Sequence, residues 1–546
     1  MWRRRDLLRG LLGWPLTALV GCGAGRPLPR AGEIVGAQHA LGHRLREPAA
    51  RFVELPSEAW HAANVVIVGG GVAGLSAAWE LRRRGIDRVV VLELEPEAGG
   101  TSRGGRVGGF ACPWGAHYLP VPLPHQHALL ALLDELGVLE GRTDAGEPLV
   151  AEQFLCRDPE ERLFYRGTWY EGLYLGAGAD ARDWRQWQSF QAEVARWAEW
   201  RDADGRRAFT LPVAECSTES TVTALDRLTM RDWLEQQGYT SARLRWAVDY
   251  ACRDDYGLTV EQTSAWAGLF YFASRLSTAT SAPQPLITWP EGNARLVRHL
   301  QTRGEADVRT GWLVTQVRPR SRAGDPLEVL ALNTANETVQ GWRASAVIWA
   351  APQFVAPYVI HGFRDDPRRR NAAAAFDYGS WLVANLELSG RPRERGFPLA
   401  WDNVLYESPS LGYVVATHQL GIDHGPTVFT YYYPFCDEDP RAARQRLLAL
   451  DWADCAELVL SDLETAHPDV RGLTTRLDVM RWGHAMIRPV PGFVWSPSRH
   501  AAALPWRGIH FAHTDLSGLP LFEEAFHHGV RAAGEVAKAL AGESTA

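Results

Sequence analysis

Lysine is almost missing from this 546-residue chain: Lys538 is its single lysine, and the remaining basic side chains are arginine. No chemistry that rests on a mid-chain lysine is therefore open to it. Positive charge is also short overall. The formal net charge is −7, with no basic tail and no RNA-binding signature, so nothing points to a nucleic-acid partner, and a mildly acidic protein suits cationic ligands. Cysteine is sparse and scattered. There is no C-x-x-C pair and no zinc spacing, so no metal site is predicted, and the six cysteines after Cys22 read as separate buried thiols. Long apolar runs are lacking too. The stretch Leu11–Val20 is too short for a bilayer span, which needs about 20 apolar residues. What remains is a globular composition, 46% hydrophobic and 22% charged, with material for more than one core. Its 23 tryptophans are read as core and helix-packing residues.

The N-terminus reads as a targeting segment. Arg3-Arg4-Arg5-Asp6-Leu7-Leu8-Arg9 resembles a twin-arginine export signal, and Leu19-Val20-Gly21-Cys22 resembles a bacterial lipobox, which implies a lipid anchor on Cys22. Together they imply a lipoprotein on the periplasmic face of a bacterial membrane. Residues 23–62, rich in Gly, Pro, Arg and Ala, read as a tether to the folded body.

Residues 64–100 carry the clearest functional signal. An apolar run, Val65–Val68, meets Gly69-x-Gly71-x-x-Gly74, a helical stretch follows, and a second run, Val89–Leu92, ends in Glu93. This is the strand–turn–helix–strand unit that holds a dinucleotide. Gly69 permits the tight turn, Gly71 lets the backbone reach a pyrophosphate, and Gly74 lets helix and strand pack closely. The helix N-terminus faces the phosphates with unpaired N–H groups. Glu93 is placed to accept hydrogen bonds from ribose hydroxyls and to repel a 2′-phosphate.

Glu93 followed by Gly99-Gly100 resembles the FAD fingerprint of the flavin amine oxidase and phytoene desaturase superfamily. The segment Gly508–Leu540 resembles the closing motif of that family, in which a strand, a turn and a helix complete the flavin site. The resemblance implies FAD as cofactor and an α/β fold: a Rossmann-type FAD-binding domain interleaved with an α+β substrate domain. It places FAD-binding pieces at 63–121, 286–355 and 491–546, a helical substrate-domain insert at 122–285, and substrate-domain sheet and helices at 356–490. It assigns cofactor contacts to Gly69, Gly71, Val72, Ala73, Gly74, Glu93, Gly99, Gly100 and Thr101 in the first half, Val317 in the middle, and Asp515, Glu524 and Ala525 in the closing half. Two departures stand out. The turn before Asp515 is one residue longer than the family pattern, and Glu524 replaces a glycine at the helix start, placing a carboxylate near the flavin. His117, in Gly115-Ala116-His117-Tyr118, is a candidate flavin neighbour.

Arg481-Trp482-Gly483-His484-Ala485-Met486, followed by Pro491-Gly492-Phe493, resembles the segment before the closing motif in amine oxidases, desaturases and porphyrinogen oxidases. It implies Phe493 as one wall of an aromatic cage. His484 is the candidate base, against the alternative of a structural histidine. Asp402, Asn403, His418 and Gln419 either line a substrate pocket or form a satisfied buried network. Gly100-Thr101-Ser102-Arg103-Gly104 matches the serine-hydrolase pattern, but no strand immediately precedes it. The reading is an FAD oxidoreductase acting on a small molecule, with a polyamine-like amine as leading substrate and oxygen or a membrane carrier as electron acceptor. The alternatives are desaturation of an isoprenoid or porphyrin-like molecule and a flavin-binding protein without chemistry. The missing mid-chain lysine departs from many amine oxidases of the superfamily.

Overall fold

The computed structural model describes residues 27–47, 55–322 and 324–543, so the export signal and Cys22 lie outside it. Two sheets organise the described residues. In the seven-stranded sheet, Val89–Leu92 lies between Asp307–Arg309 and Trp60–Val68, all parallel. Val339–Trp349 pairs parallel with Trp60–Val68 and with Ile509–Phe511, and antiparallel with Leu327–Asn333, which carries the edge strand Trp312–Arg318. Val65–Val68 and Val89–Leu92 are buried at every residue, which is why they read as continuous β-branched runs rather than alternating ones.

Helices Val72–Arg83 and Phe522–Glu543 pack against one another beside this sheet. Small residues set their approach: Ala77, Ala78, Ala532 and Ala533 share one core, and a Cβ on Gly529 would fall 2.3 Å from the Ala73 carbonyl oxygen. Gly74 is equally constrained, since a Cβ there would lie 1.9 Å from the Gly69 oxygen.

The second sheet has eight strands drawn from distant segments, in the order Ile34–Gly36, Thr474–Ile487, Tyr378–Leu388, Thr427–Pro434, Tyr413–Val415, Asp402–Leu405, Glu161–Tyr165 and Thr168–Glu171. A helical unit that includes Ala181–Glu199, Met230–Gln236, Ala242–Tyr256 and Ala265–Ala273 closes over it around an aromatic core of Phe190, Trp197, Phe209, Trp233, Trp266 and Phe270. Asp180 and Asp183 start the first of these helices with a reciprocal capping box.

Two expectations need correction. The insert at 122–285 is not purely helical, because the hairpin Glu161–Tyr165/Thr168–Glu171 belongs to the second sheet. The stretch read as a tether is partly built into the body: Ile34–Gly36 forms an edge strand and Leu45 enters a core. The six described cysteines are unpaired thiols.

Candidate active site

The first half of the cofactor site is a groove floored by bare backbone. Gly69 has φ +106°, a left-handed-side conformation that favours glycine. The loops at Gly71 and Gly99 touch through a bridge, and Gly99 N–H donates to the Gly70 carbonyl at 2.8 Å. A Cβ on Gly100 would lie 3.4 Å from the Gly71 Cα. Helix Val72–Arg83 begins here with no side-chain cap, leaving the N–H groups of Val72 and Ala73 facing outward from its positive end. This arrangement fits a pyrophosphate. The Glu93 carboxylate stands beside it, accepting from Gly70 N–H at 2.6 Å and Glu95 N–H at 2.8 Å. Burial pushes its pKa up, and those two N–H groups oppose the shift. Carboxylate oxygens have further lone pairs for ribose hydroxyls.

Arg103 supplies a cation that sequence reasoning missed. Its buried guanidinium reaches Glu95 at 3.3 Å, its Nε has no hydrogen-bond partner among the described residues, and its stem lies against Gly99. A diphosphate needs such a counter-charge. Immediately before Arg103, Ser102 closes a 3₁₀ turn, Gly100–Ser102, and not the strand-to-helix elbow that a serine nucleophile requires. Thr101 carries the groove into the main cavity: its carbonyl accepts from Ala116 N–H at 3.0 Å, and both residues line that cavity.

In the closing half the extra turn residue changes which side chain faces inward. Thr514 lines the cavity. Asp515 is buried behind it and accepts from Tyr378 O–H at 2.6 Å and Gln353 N–H at 2.9 Å, with His513 Nδ1 at 3.0 Å. Burial alone would raise its pKa, but His513 and these donors hold it below the ordinary value. Asp515 thus ties the turn to the strand end at Gln353, which corrects the expectation that it faces the cofactor groove. Glu524 is also turned away. Its carboxylate accepts from Val213 N–H at 2.7 Å and from Ser517 O–H, in the contact with the helical unit. Its neighbour Glu523 lines the cavity instead, and burial pushes both carboxyl groups up to about 7. Ala525 packs between two cores beneath the helix start. Val317 is fully buried and its carbonyl is taken by His361 N–H at 2.9 Å, whereas Trp312, at the start of the same strand, donates to the Glu93 carbonyl at 2.8 Å. The beginning of that strand, not Val317, lies beside the ribose acid.

Both catalytic expectations are corrected, His484 by a bulge and Phe493 by core packing. Trp381 pairs with Trp482 and Gly379 with Met486, so three residues, 483–485, stand opposite Ser380 alone. His484 is carried out of register and stacks on Phe354 at 4.1 Å, and burial lowers its pKa to about 4. It is absent from the cavity wall, which takes Trp482, Ala485 and Met486. Phe493 packs edge-on against Phe376 at 5.3 Å in a core and lines no cavity wall.

The cavity itself has a volume of about 700 Å³ and is enclosed by the second sheet, the helical unit and the start of helix Phe522–Glu543. Its charged lining is strongly one-sided: Glu160, Glu161, Asp254, Asp255, Asp402 and Glu523 against the single guanidinium of Arg275. Arg275 is already engaged, holding both Asp255 oxygens at 2.8 Å with Tyr118 O–H alongside. Glu161 and Asp402 are register partners on parallel strands, so two carboxylates project side by side, and Tyr250 O–H donates to Asp402 at 3.2 Å. Burial, and then the neighbouring carboxylates, push Glu161 and Asp254 up to about 7 and Asp402 well above its usual range. Such clusters of perturbed acids mark functional sites. Much of the remaining wall is aromatic, with aliphatic residues such as Leu173, Val383 and Leu411 between the rings. His117 stacks on Tyr432 at 4.8 Å beside Trp401, and burial lowers its pKa to about 4, so it is neutral near pH 7. Of the four polar residues grouped from sequence, Asp402 alone reaches the cavity. Asn403 bonds Arg162 behind the sheet, and His418 and Gln419 bond the backbone at 155–157.

Comparison with known proteins agrees with this geometry. A family model described as flavin containing amine oxidoreductase matches residues 72–537. A protein assigned as the flavin-containing monoamine oxidase AofH of Mycobacterium tuberculosis is 45% identical over 75 residues, which is 14% of this chain and 16% of that protein's length. Putrescine oxidase, solved with putrescine bound, superposes with a TM-score of 0.63 at 18% identity over 87% of this chain and 99% of its own. A fatty acid isomerase from P. acnes gives 0.61 at 14% identity over 87% and 98%. These structures share a fold across different chemistries, so the fold alone does not name a substrate. The glycine groove, the ribose acid and the matched span together place this chain in the flavin containing amine oxidoreductase family, as an FAD-dependent oxidoreductase.

Proposed function

We propose that the enzyme oxidises an amine bearing more than one positive charge, of polyamine type, at a carbon–nitrogen bond. The observation that carries this reading is the cavity lining of six carboxylates against one guanidinium that is already paired. An apolar polyene or porphyrin-like substrate would leave the five carboxylates other than Asp255 desolvated without a cation, at a cost of several kcal/mol per ionised group. A polycation would satisfy them and let them ionise.

FAD, when bound, supplies the acceptor for the hydride that leaves the amine-bearing carbon. The chain's own residues do the rest. Glu161, Asp402 and Asp254 hold a distal ammonium, while Trp401, Tyr432 and His117 flank the alkyl chain and exclude water. Glu523, in the first turn of helix Phe522–Glu543 with a pKa of about 7, is the group able to take a proton from the reacting ammonium. Hydride loss leaves an iminium, which water converts to an aldehyde and a free amine.

The segments Arg3–Arg9 and Leu19–Cys22 support an exported lipoprotein held at the periplasmic face of a membrane, loaded with FAD before export, with oxygen or a membrane carrier as electron acceptor. Anaerobic bleaching of the flavin absorbance by matched panels of diamines, monoamines and apolar polyenes tests the substrate. Bleaching by diamines is expected; no bleaching by any amine would sink the proposal. Mass spectrometry of the mature N-terminus, with Cys22→Ala as control, tests the anchor.

A further inference from the structure

Residues Glu33–Leu45 precede the span matched by the family model, which begins at residue 72, yet they are fixed to the body on both sides of the cofactor groove. On one side Ile34–Gly36 extends the second sheet, with Ile34 opposite Val479 and Gly36 opposite Met480. Val479 N–H donates to the Glu33 carbonyl at 2.9 Å, and Glu33 N–H donates to Asp478 at 3.1 Å. On the other side Leu45 is buried in the core of the dinucleotide sheet, Gly42 faces Leu94, and Arg44 grips Glu337 with two bonds of 2.9 and 2.7 Å. The Arg44 pair is largely exposed and adds little; the buried Leu45 is the stronger anchor.

Between these anchors the segment crosses the groove's acidic edge. Gln38 N–H donates to Glu95 Oε1 at 2.8 Å, Arg103 holds Glu95 Oε2 at 3.3 Å, and Glu95 N–H donates to Glu93 at 2.8 Å. A Cβ on Gly36 would lie 3.4 Å from the Arg103 guanidinium. The crossing residues, the ribose acid and the groove's buried cation are thus one connected set. We propose that residues Glu33–Leu45 are a clasp across the ribose–pyrophosphate end of the site, which closes after FAD has entered and slows its release. The clasp is pinned separately to the two sheets and touches the ribose acid's partner Glu95 between them, so cofactor and clasp stabilise each other reciprocally. This rests on the binding of FAD and is independent of the substrate.

The test uses the full-length holoenzyme. Leu45→Ala combined with Arg44→Ala is expected to release FAD about tenfold faster or more after dilution, read as the fluorescence of free FAD; tenfold corresponds to about 1.4 kcal/mol. With FAD in excess, the variant's visible spectrum should match the wild type. Release at the wild-type rate would overturn the clasp. A second measurement needs no variant: hydrogen exchange at the Gln38 amide of the wild-type protein should be slower with FAD bound than after FAD removal. Equal exchange in the two states would overturn it as well.

Discussion

Strands Asp402–Leu405 and Glu161–Tyr165 present two faces whose residues are neighbours in sequence and opposites in physics. On the rear face Arg162 is fully satisfied: it pairs with Glu394 at 2.5 and 3.0 Å, donates to Asn403 and Tyr413, and stacks on Trp169 at 3.8 Å. On the front face, one residue earlier on each strand, Glu161 and Asp402 stand together with no cation between them. A like-charged pair placed side by side in a buried site costs stability. The rear network offsets that cost by fixing the register, and the front face is left as an unfilled demand for positive charge. Polar residues on a strand therefore carry structure or function according to which face they occupy.

The largest effect should come from the rear. Arg162→Met leaves Glu394 without its cation and is expected to cost about 3–5 kcal/mol of stability, as removal of one partner from a buried pair does. Urea unfolding measures this, and a loss under about 1 kcal/mol would break the comparison. The front should behave in the opposite way. Asp402→Asn with Glu161→Gln should keep or raise the unfolding midpoint, while kcat/KM for a diamine falls about 10- to 100-fold and that for a monoamine of equal chain length changes by less than about threefold. Equal losses on both substrates would remove these residues from any distal subsite.

Titration sharpens the same contrast. Unfolded Glu and Asp titrate near about 4, whereas burial and mutual repulsion hold Glu161 and Asp254 up at about 7 in the fold. Between those values the folded state carries more protons than the unfolded one, so this contribution favours folding at low pH and is lost as pH rises through about 7. Without substrate, the urea midpoint of the wild type should therefore decline from about pH 5 to about pH 8, and Glu161→Gln with Asp254→Asn should flatten that slope. A polycationic substrate reverses the sign, because it binds the ionised acids: its affinity should rise across the same interval. A wild-type midpoint that climbs with pH would show that other groups dominate.

The amino half of the cofactor site was legible because its chemistry is local. Gly69, Gly71, Gly74 and Glu93 lie within one strand–turn–helix–strand unit, where Gly74 is pressed against the Gly69 carbonyl and Glu93 accepts from Gly70 N–H. The carboxylate cluster was not legible, because Glu161, Asp254 and Asp402 converge only through parallel pairing of strands 241 positions apart and a helix from between them. Asp402 was noticed within a polar group, but nothing in that group separated it from Asn403 until the faces were known. Arg103 offered a faint local signal, an arginine three residues beyond Gly100. The closing half misled by single residues: one extra position in a turn moved Asp515 behind Thr514, and one bulge moved His484.

That bulge yields the smallest predicted effect. Because residues 483–485 stand against Ser380 alone, His484 is a structural residue in the way Arg162 is: it stacks on Phe354, its pKa is lowered to about 4 by burial, and it contributes packing and no proton transfer. His484→Ala should then cost about 0.5–1.5 kcal/mol of stability, the worth of an aromatic stack beyond its buried area. It should change kcat less than about threefold and leave the pH dependence of kcat/KM unmoved, since a general base contributes about 100-fold or more. His484→Phe, which keeps the stack and removes both ring nitrogens, separates the two roles more cleanly. Recovery of stability with kcat still near wild type fits a packing residue. A fall in kcat of about 100-fold in both variants at unchanged stability would make His484 the base, and would require the strand to return to regular pairing when substrate binds.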